Sequence, residues 1–187
     1  MNSRLLKGYS AVITGCSRGI GKSILENFTS NGANCIACIR KKNIEFENYC
    51  KDLSNKHKVK VDIVHFDLGK RQEVIEGVKK IFKINKKIDI LVNNAGILFN
   101  SLFQMTSEKQ LKEIFEVNFF SHIYLTQLIS REMVKNKSGS IIFISSTSSK
   151  RNDIGRFAYS STKAAISSSS RVLAKELGNF NIRVNSI

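Results

Sequence analysis

Tyr159 and Lys163, in the run Tyr159-Ser160-Ser161-Thr162-Lys163, have the types and spacing of a proton-transfer couple. Residues four apart on a helix share a face, about one turn from each other. A phenol ordinarily ionises near pH 10, too high to exchange protons readily at neutrality, and an ammonium held close favours the phenolate. Such a pair arises often by chance, so its surroundings decide its meaning. Just upstream, Ser140-Ile141-Ile142-Phe143-Ile144-Ser145-Ser146 reads as a strand ending in two hydroxyls, and neighbours on a strand point to opposite faces. Asn118 stands between Val117 and Phe119 in a helix-period stretch, where an amide is awkward unless it is locally bonded or functional. Near the start of the chain, Thr14-Gly15-Cys16-Ser17-Arg18-Gly19-Ile20-Gly21 has glycines where a tight strand-to-helix turn needs them. The free N–H groups and positive dipole end of the helix that follows would receive a pyrophosphate; the alternative is a tight turn with no ligand.

These residues must be positioned by the elements around them. Apolar, β-branched runs recur at 11–13, 35–39, 61–66, 88–92, 141–144 and 182–187. Between them lie segments of helical period at 19–31, 43–56, 70–84, 107–135 and 157–178. This alternation predicts an α/β fold: a doubly wound parallel sheet of Rossmann type, with helices on both faces and right-handed crossovers. The whole chain, 1–187, reads as a single dinucleotide-binding and catalytic domain. The glycine turn then follows the first strand and opens the first helix, where a dinucleotide-binding turn belongs. In such sites an acidic residue after the second strand holds the ribose 2′-hydroxyl and selects NAD. Here Ile39 occupies that place and Arg40 follows it. Arginine grips a 2′-phosphate with charge-assisted hydrogen bonds, and Arg18 in the turn could reach the same group, so the expected cofactor is NADP(H).

Composition bounds the alternatives. Apolar residues make up 42% and charged residues 24%, an ordinary globular balance. No apolar run reaches the roughly 18–20 residues that span a bilayer, and the N-terminus lacks the shape of a signal peptide, so the expected setting is cytoplasmic with no membrane partner. Cys35 and Cys38 form a C-x-x-C that could mean metal or redox chemistry; an offset of three on a strand instead puts the thiols on opposite faces, and buried core cysteines are expected, with no metal site. The net charge of +15 raises the possibility of nucleic-acid binding. The basic residues are scattered, as at Lys41-Lys42, Lys79-Lys80 and Lys86-Lys87, with no block interleaved with aromatics, so solvated faces are expected and no nucleic-acid partner.

The spacing T-G-x-x-x-G-x-G, followed in order by Asn93-Asn94-Ala95-Gly96, the serine-ended strand and Y-x-x-x-K, resembles the short-chain dehydrogenase/reductase family over nearly the whole chain, from about Leu5 to Ile187. The resemblance implies that Gly15, Ser17, Arg18, Gly19, Ile20 and Gly21 contact the cofactor with Arg40, that Asp67 and Leu68 meet the adenine, and that Asn94, Ala95 and Gly96 border the ribose. It selects Ser146, thirteen residues before Tyr159, as the catalytic serine, and completes a tetrad with Asn118, Tyr159 and Lys163. In the implied mechanism NADPH delivers a hydride to a ketone carbon, Tyr159 protonates the oxygen, Ser146 positions it, Lys163 favours the phenolate and holds the nicotinamide ribose, and Asn118 holds a water linking Lys163 to solvent.

Within the family, the stretch from Asn93 to Lys163 most resembles bacterial 3-oxoacyl-acyl-carrier-protein reductases, which implies a ketone substrate, small or carried on an acidic acyl carrier. Reductases of other ketones, such as sugars, share the same tetrad. The resemblance also implies a homodimer or homotetramer built on the helices at 107–135 and 157–178. In similar proteins the segment Arg183-Val184-Asn185 is the sixth strand and is followed by a Pro-Gly turn, a substrate loop, a helix and a seventh strand; the present chain stops at Ile187 and contains no proline, so the sheet is expected to end at its sixth strand. Two other readings stand beside the reductase: a cofactor-binding protein without catalysis, and a basic nucleic-acid-binding protein on the same scaffold.

Overall fold

The computed structural model describes residues 4–151 and 153–187. Six parallel strands form one sheet: β1 (Ser10–Thr14), β2 (Asn34–Ile39), β3 (Val61–His65), β4 (Ile90–Asn93), β5 (Gly139–Phe143) and β6 (Ile182–Ser186). Their order is β3-β2-β1-β4-β5-β6. The order reverses between β1 and β4, which opens a crevice at the carboxyl ends of those two strands. The expected α/β, doubly wound, Rossmann-type sheet with helices on both faces is therefore the observed one, and β6 is its last strand.

The helices are α1 (Gly19–Ser30), α2 (Ile44–His57), α3 (Arg71–Ile84), α4 (Glu108–Phe115), α5 (Ser121–Asn136) and α6 (Phe157–Gly178). Strand alternation divides the core in two. Ala11, Ile13, Ala37 and Ile39 face α1 and α2, where Leu25, Phe46 and Leu53 meet them. Val12, Ile36, Leu91, Ile141 and Phe143 face the other way, toward Val78 of α3, Leu125 and Ile129 of α5 and Ile166 of α6. Both faces are covered, so the strands read as near-continuous apolar runs. The same alternation separates the C-x-x-C: Cys35 lies in one cluster and Cys38 in the other. Burial pushes both thiols up, Cys35 to about 12.

The stretch 107–135 is not one uninterrupted helix. α4 begins with a capping box, in which the Ser107 hydroxyl accepts from the Gln110 N–H and the Gln110 side chain accepts from the Ser107 N–H. One π-helical turn, Glu116–Phe120, then separates α4 from α5, with Asn118 at its centre. A π turn inserts one residue into the hydrogen-bond ladder and is often found at functional sites.

α3 packs on β3 through Gly77, which has no room for a side chain: a Cβ there would lie 2.4 Å from the Phe66 ring. Alanine gains about 1 kcal/mol of helix propensity but overpacks the contact, which costs about 1–3 kcal/mol. Gly77→Ala is expected to lower the urea midpoint, and Phe66→Leu in the same background to restore part of it. A Gly77→Ala protein as stable as the parent would mean that α3 sits farther from β3 than described.

Candidate active site

The crevice is built by a clamp between two strand ends nearly half the chain apart. The Thr14 hydroxyl closes β1, donating to the Val92 carbonyl (3.3 Å) and accepting from the N–H groups of Asn94 (3.0 Å) and Ala95 (3.1 Å). The Asn94 amide answers by donating to the carbonyls of Thr14 (2.8 Å) and Gly15 (3.1 Å). Two glycines make this closeness possible. Gly15 has φ +71°, and a Cβ on it would lie 2.8 Å from the Ala95 Cα; a Cβ on Gly21 would lie 2.3 Å from the Gly15 carbonyl oxygen. The clamp uses the N–H donors of the Asn94 side chain, so what this segment offers a ligand is its backbone, the Asn94 Oδ1 and the exposed Gly96.

Above the clamp, Ser17, Arg18, Gly19 and Ile20 lie at the exposed N-terminus of α1. Ile20 is 62% exposed, unusual for a large aliphatic side chain at the base of a crevice. The Gly15 N–H donates to the Cys38 carbonyl (2.9 Å), which brings the end of β2, and with it Arg40, beside the glycine turn. Arg18 and Arg40 are exposed, and among the described residues neither joins an ion pair. At the end of β3, Asp67 Oδ1 accepts from the Gly69 N–H (2.9 Å). The Leu68 carbonyl accepts from the buried Ser121 hydroxyl.

The second half of the site hangs on α6. Lys163 is 3% exposed, and its ammonium donates to the Ile144 carbonyl at the end of β5 (2.7 Å). Burial pushes Lys163 down from 10.5 to about 8. Its Nζ lies 5.6 Å from the centroid of the half-buried Tyr159 ring, one helical turn earlier. The two serines point apart, as the strand period requires. The Ser145 hydroxyl is tied to α6, through the Ser167 hydroxyl (2.7 Å) and the Lys163 carbonyl (3.2 Å). Ser146 Oγ accepts from the Ser148 N–H (3.1 Å), which leaves its own proton to be donated. The turn after Ser146 packs against α6.

Asn118 is fully buried and does not face a solvent channel with its amide. Oδ1 accepts from the Ile97 N–H (2.8 Å), and Nδ2 donates to the Ile97 carbonyl (2.9 Å) and to the Thr162 hydroxyl (3.4 Å). It meets Lys163 across Gly96: a Cβ there would lie 3.3 Å from Asn118 Oδ1 and 3.9 Å from Lys163 Nζ. One turn beyond Asn118 lies His122, and one turn further Thr126, whose hydroxyl accepts from the Asn93 amide (2.8 Å). Neither Thr14 nor His122 stood out in the sequence. The Thr-Gly pair marked the turn but not its partner eighty residues away, and a lone histidine among apolar residues carries no local signal.

The family model described as short chain dehydrogenase matches residues 9–187. The chain belongs to the short-chain dehydrogenase family. Among curated relatives, the 3-oxoacyl-[acyl-carrier-protein] reductase of Chlamydia muridarum is 38% identical over 100% of this chain and 75% of its own length. Among solved structures, the L-sorbose reductase of Gluconobacter frateurii, complexed with NADPH and L-sorbose, superposes with a TM-score of 0.91 at 30% identity, covering 97% of this chain and 68% of that one. A 7α-hydroxysteroid dehydrogenase complexed with NADH superposes with a TM-score of 0.87 at 32% identity, covering 99% of this chain and 71% of that one. The chain is thus a short-chain dehydrogenase/reductase oxidoreductase of alcohol and ketone groups, in a family that uses a nicotinamide cofactor. Among the described residues no helix is long and apolar enough to cross a membrane.

The buried ammonium has a measurable signature. Lys163 releases its proton at lower pH in the folded protein than in the unfolded chain. Below about pH 8 both states are charged and the full burial cost is present; between there and 10.5 the unfolded chain holds the extra proton and stability rises with pH. Relative to Lys163→Met, whose background carries every other titration, the parent is expected to gain up to about 3 kcal/mol between pH 7 and 10.5. Parallel stability curves would place Lys163 in water.

Proposed function

We propose that this protein reduces a ketone to an alcohol with NADPH as hydride donor, reversibly, through Asn118, Ser146, Tyr159 and Lys163. The observation that carries the reading is the buried Lys163 ammonium, one turn from Tyr159 and next to Gly96. The glycine turn fits a pyrophosphate, because Gly19 has φ +55° with nothing within 4 Å of where a Cβ would stand, at the exposed N-terminus of α1. Gly15, Ser17, Arg18, Gly19, Ile20 and Gly21 would hold the phosphates, with Asp67 and Leu68 at the adenine and Ala95, Gly96, Tyr159 and Lys163 at the nicotinamide ribose. Arg18 and Arg40, free of ion pairs among the described residues, favour a 2′-phosphate over a 2′-hydroxyl.

When bound, the cofactor supplies the hydride to the carbonyl carbon. Tyr159 donates its phenolic proton to the carbonyl oxygen as charge develops there, and the Ser146 hydroxyl hydrogen-bonds the same oxygen. The Lys163 ammonium stabilises the phenolate left behind. Because the Asn118 amide is already spent on Ile97 and Thr162, a water linking Lys163 to solvent would be held by the Asn118 backbone in the π turn.

We favour a 3-oxoacyl thioester as substrate. Near the site Phe103 and Phe157 meet edge to face at 5.1 Å, an apolar wall suited to an acyl chain, and the basic surface suits an acidic carrier. Reductase action on a sugar or another ketone is the alternative. We also propose that the chain is one cofactor-binding and catalytic unit. It would work in the cytoplasm, where its four free, buried cysteines stay reduced. It would pair with a second copy through the π turn with α5 and through α6, where Phe120 of the turn and Val172 of α6 are each 53% exposed.

Fluorescence titration with NADPH and NADH, on the parent and Arg40→Asp, tests the cofactor assignment: tighter NADPH binding that the variant loses supports it, and equal binding of both cofactors by the parent refutes it. Turnover of a 3-oxoacyl thioester, set against a panel of sugar and steroid ketones, tests the reaction. Tyr159→Phe is expected to lower kcat about 10²–10⁴-fold with little change in cofactor binding. Sedimentation at micromolar concentration should give a dimer or tetramer; a monomer would remove the proposed pairing.

A further inference from the structure

Asn118, His122 and Thr126 are successive turns of one helical face, and they meet alternate residues of the chain from the end of β4 onward. Thr126 bonds Asn93, His122 hydrogen-bonds the Ala95 backbone, and Asn118 bonds Ile97. Four residues of helix advance about 6 Å and two residues of extended chain about 6.6 Å, so the helix and the strand continuation stay in register over three rungs. The outer rungs are side-chain amides and hydroxyls. The middle rung is an imidazole that is 1% exposed and has no counter-charge.

Burial and, after it, the Lys163 charge push His122 down from 6.5 to about 3, against the opposing effect of the Ala95 bond. The ring is therefore neutral at physiological pH, with its N–H given to the Ala95 carbonyl. Its Nε2 is buried and has no hydrogen-bond partner, and neither does Asn93 Oδ1 on the adjacent rung. A buried polar atom without a partner is uncommon and calls for a physical reason. The surroundings narrow the candidates. α3 faces α5 with Val74, Val78 and Ile81, and its Arg71 stacks on Tyr124. β5 presents Ile141 and Phe143. Asn93, Thr126 and Asn118 are uncharged. Lys163, from α6, is the one charged group whose field acts on the ring among the described residues. Its ammonium has three protons, and Ile144 takes one of them.

We propose that His122 is a positioning residue for Lys163: its N–H anchors the Ala95 carbonyl, and the bare Nε2 offers its lone pair to the ammonium through one bridging water, which holds Lys163 in its charged form. The neutral ring is what the pair needs, since an imidazolium and an ammonium here would exclude each other by the same interaction that lowers His122. This inference rests on Lys163 serving Tyr159 as described above, and its test separates the two.

The ¹³C resonance of the labelled Lys163 side chain, assigned with Lys163→Arg, is titrated in the parent, in His122→Gln, which keeps an acceptor, and in His122→Met and His122→Val, which do not. The Lys163 midpoint is expected to fall by about one pH unit in the apolar variants and to be restored by Gln. Unchanged midpoints in any folded apolar variant overturn the proposal. In the parent, imidazole ¹⁵N shifts should show His122 neutral from pH 5 to 8 with Nε2 unprotonated; a proton on Nε2 overturns it without any variant. The basic limb of kcat/KM against pH should move with the NMR midpoint. Absence of ketone turnover by the parent would sink the reductase reading and leave the Lys163 titration to decide the role of His122.

Discussion

A lysine ammonium buried behind the crevice is a costly feature of this fold, and much of the surrounding architecture answers to it. Lys163 can remain charged at 3% exposure only with hydrogen-bond acceptors in reach, because an isolated charge in a protein interior is strongly disfavoured. The Ile144 carbonyl is one acceptor, available because β5 ends there and its backbone no longer serves the sheet on that side. Placing the lysine on α6 rather than on a loop fixes the tyrosine one turn away without any further device. A stable interior would use an apolar side chain at this position, so the cost is retained where chemistry needs a cation.

Two rigid ties deliver the rest of the site to that cation. The Thr14–Asn94 clamp locks the phosphate turn to the end of β4 using backbone groups and one side chain from each strand. Thr126 of α5 and Asn118 of the π turn then tie Asn93, at the end of β4, and Ile97, beyond it, to the helix beneath them. Between the ties lies Gly96, close to Asn118 on one side and Lys163 on the other. A ligand lying over this segment would meet a floor tied at both ends by hydrogen bonds, so that in the proposed reaction the distance between hydride donor and proton donor would be set by the scaffold.

Much of this was legible in the sequence because its physics is local. The β-branched runs and helical periods marked every strand and helix, and period-two alternation placed Cys35 and Cys38, and Ser145 and Ser146, on opposite faces. The glycines of the turn announced a close approach. What the sequence concealed was tertiary: the partner of Thr14, the break of the 107–135 helix into α4, a π turn and α5, and the row that includes His122. Asn118 was visible as an anomaly between two apolar residues, yet its pattern could not reveal that both ends of its amide are committed to Ile97. Residue types and spacing report what an element is, whereas these contacts depend on which elements the sheet order sets side by side.

The contrast between floor and rim offers a physical reason why similar proteins carry names as different as acyl-carrier-protein reductase, sorbose reductase and hydroxysteroid dehydrogenase. The floor is backbone and buried polar groups, which tolerate little change without losing hydrogen bonds in the interior. The rim consists of the loops after β4 and β5, joined by the Ser101 N–H to Gly155 carbonyl bond (2.9 Å) and by the Phe103–Phe157 contact. Here Leu98, Leu102, Phe103, Ile154 and Phe157 stand exposed, and none of them holds up the core. Substitutions at such positions change the shape and polarity above the crevice while leaving Tyr159 and Lys163 untouched, so substrate choice can drift across a family while its fold and reaction type persist.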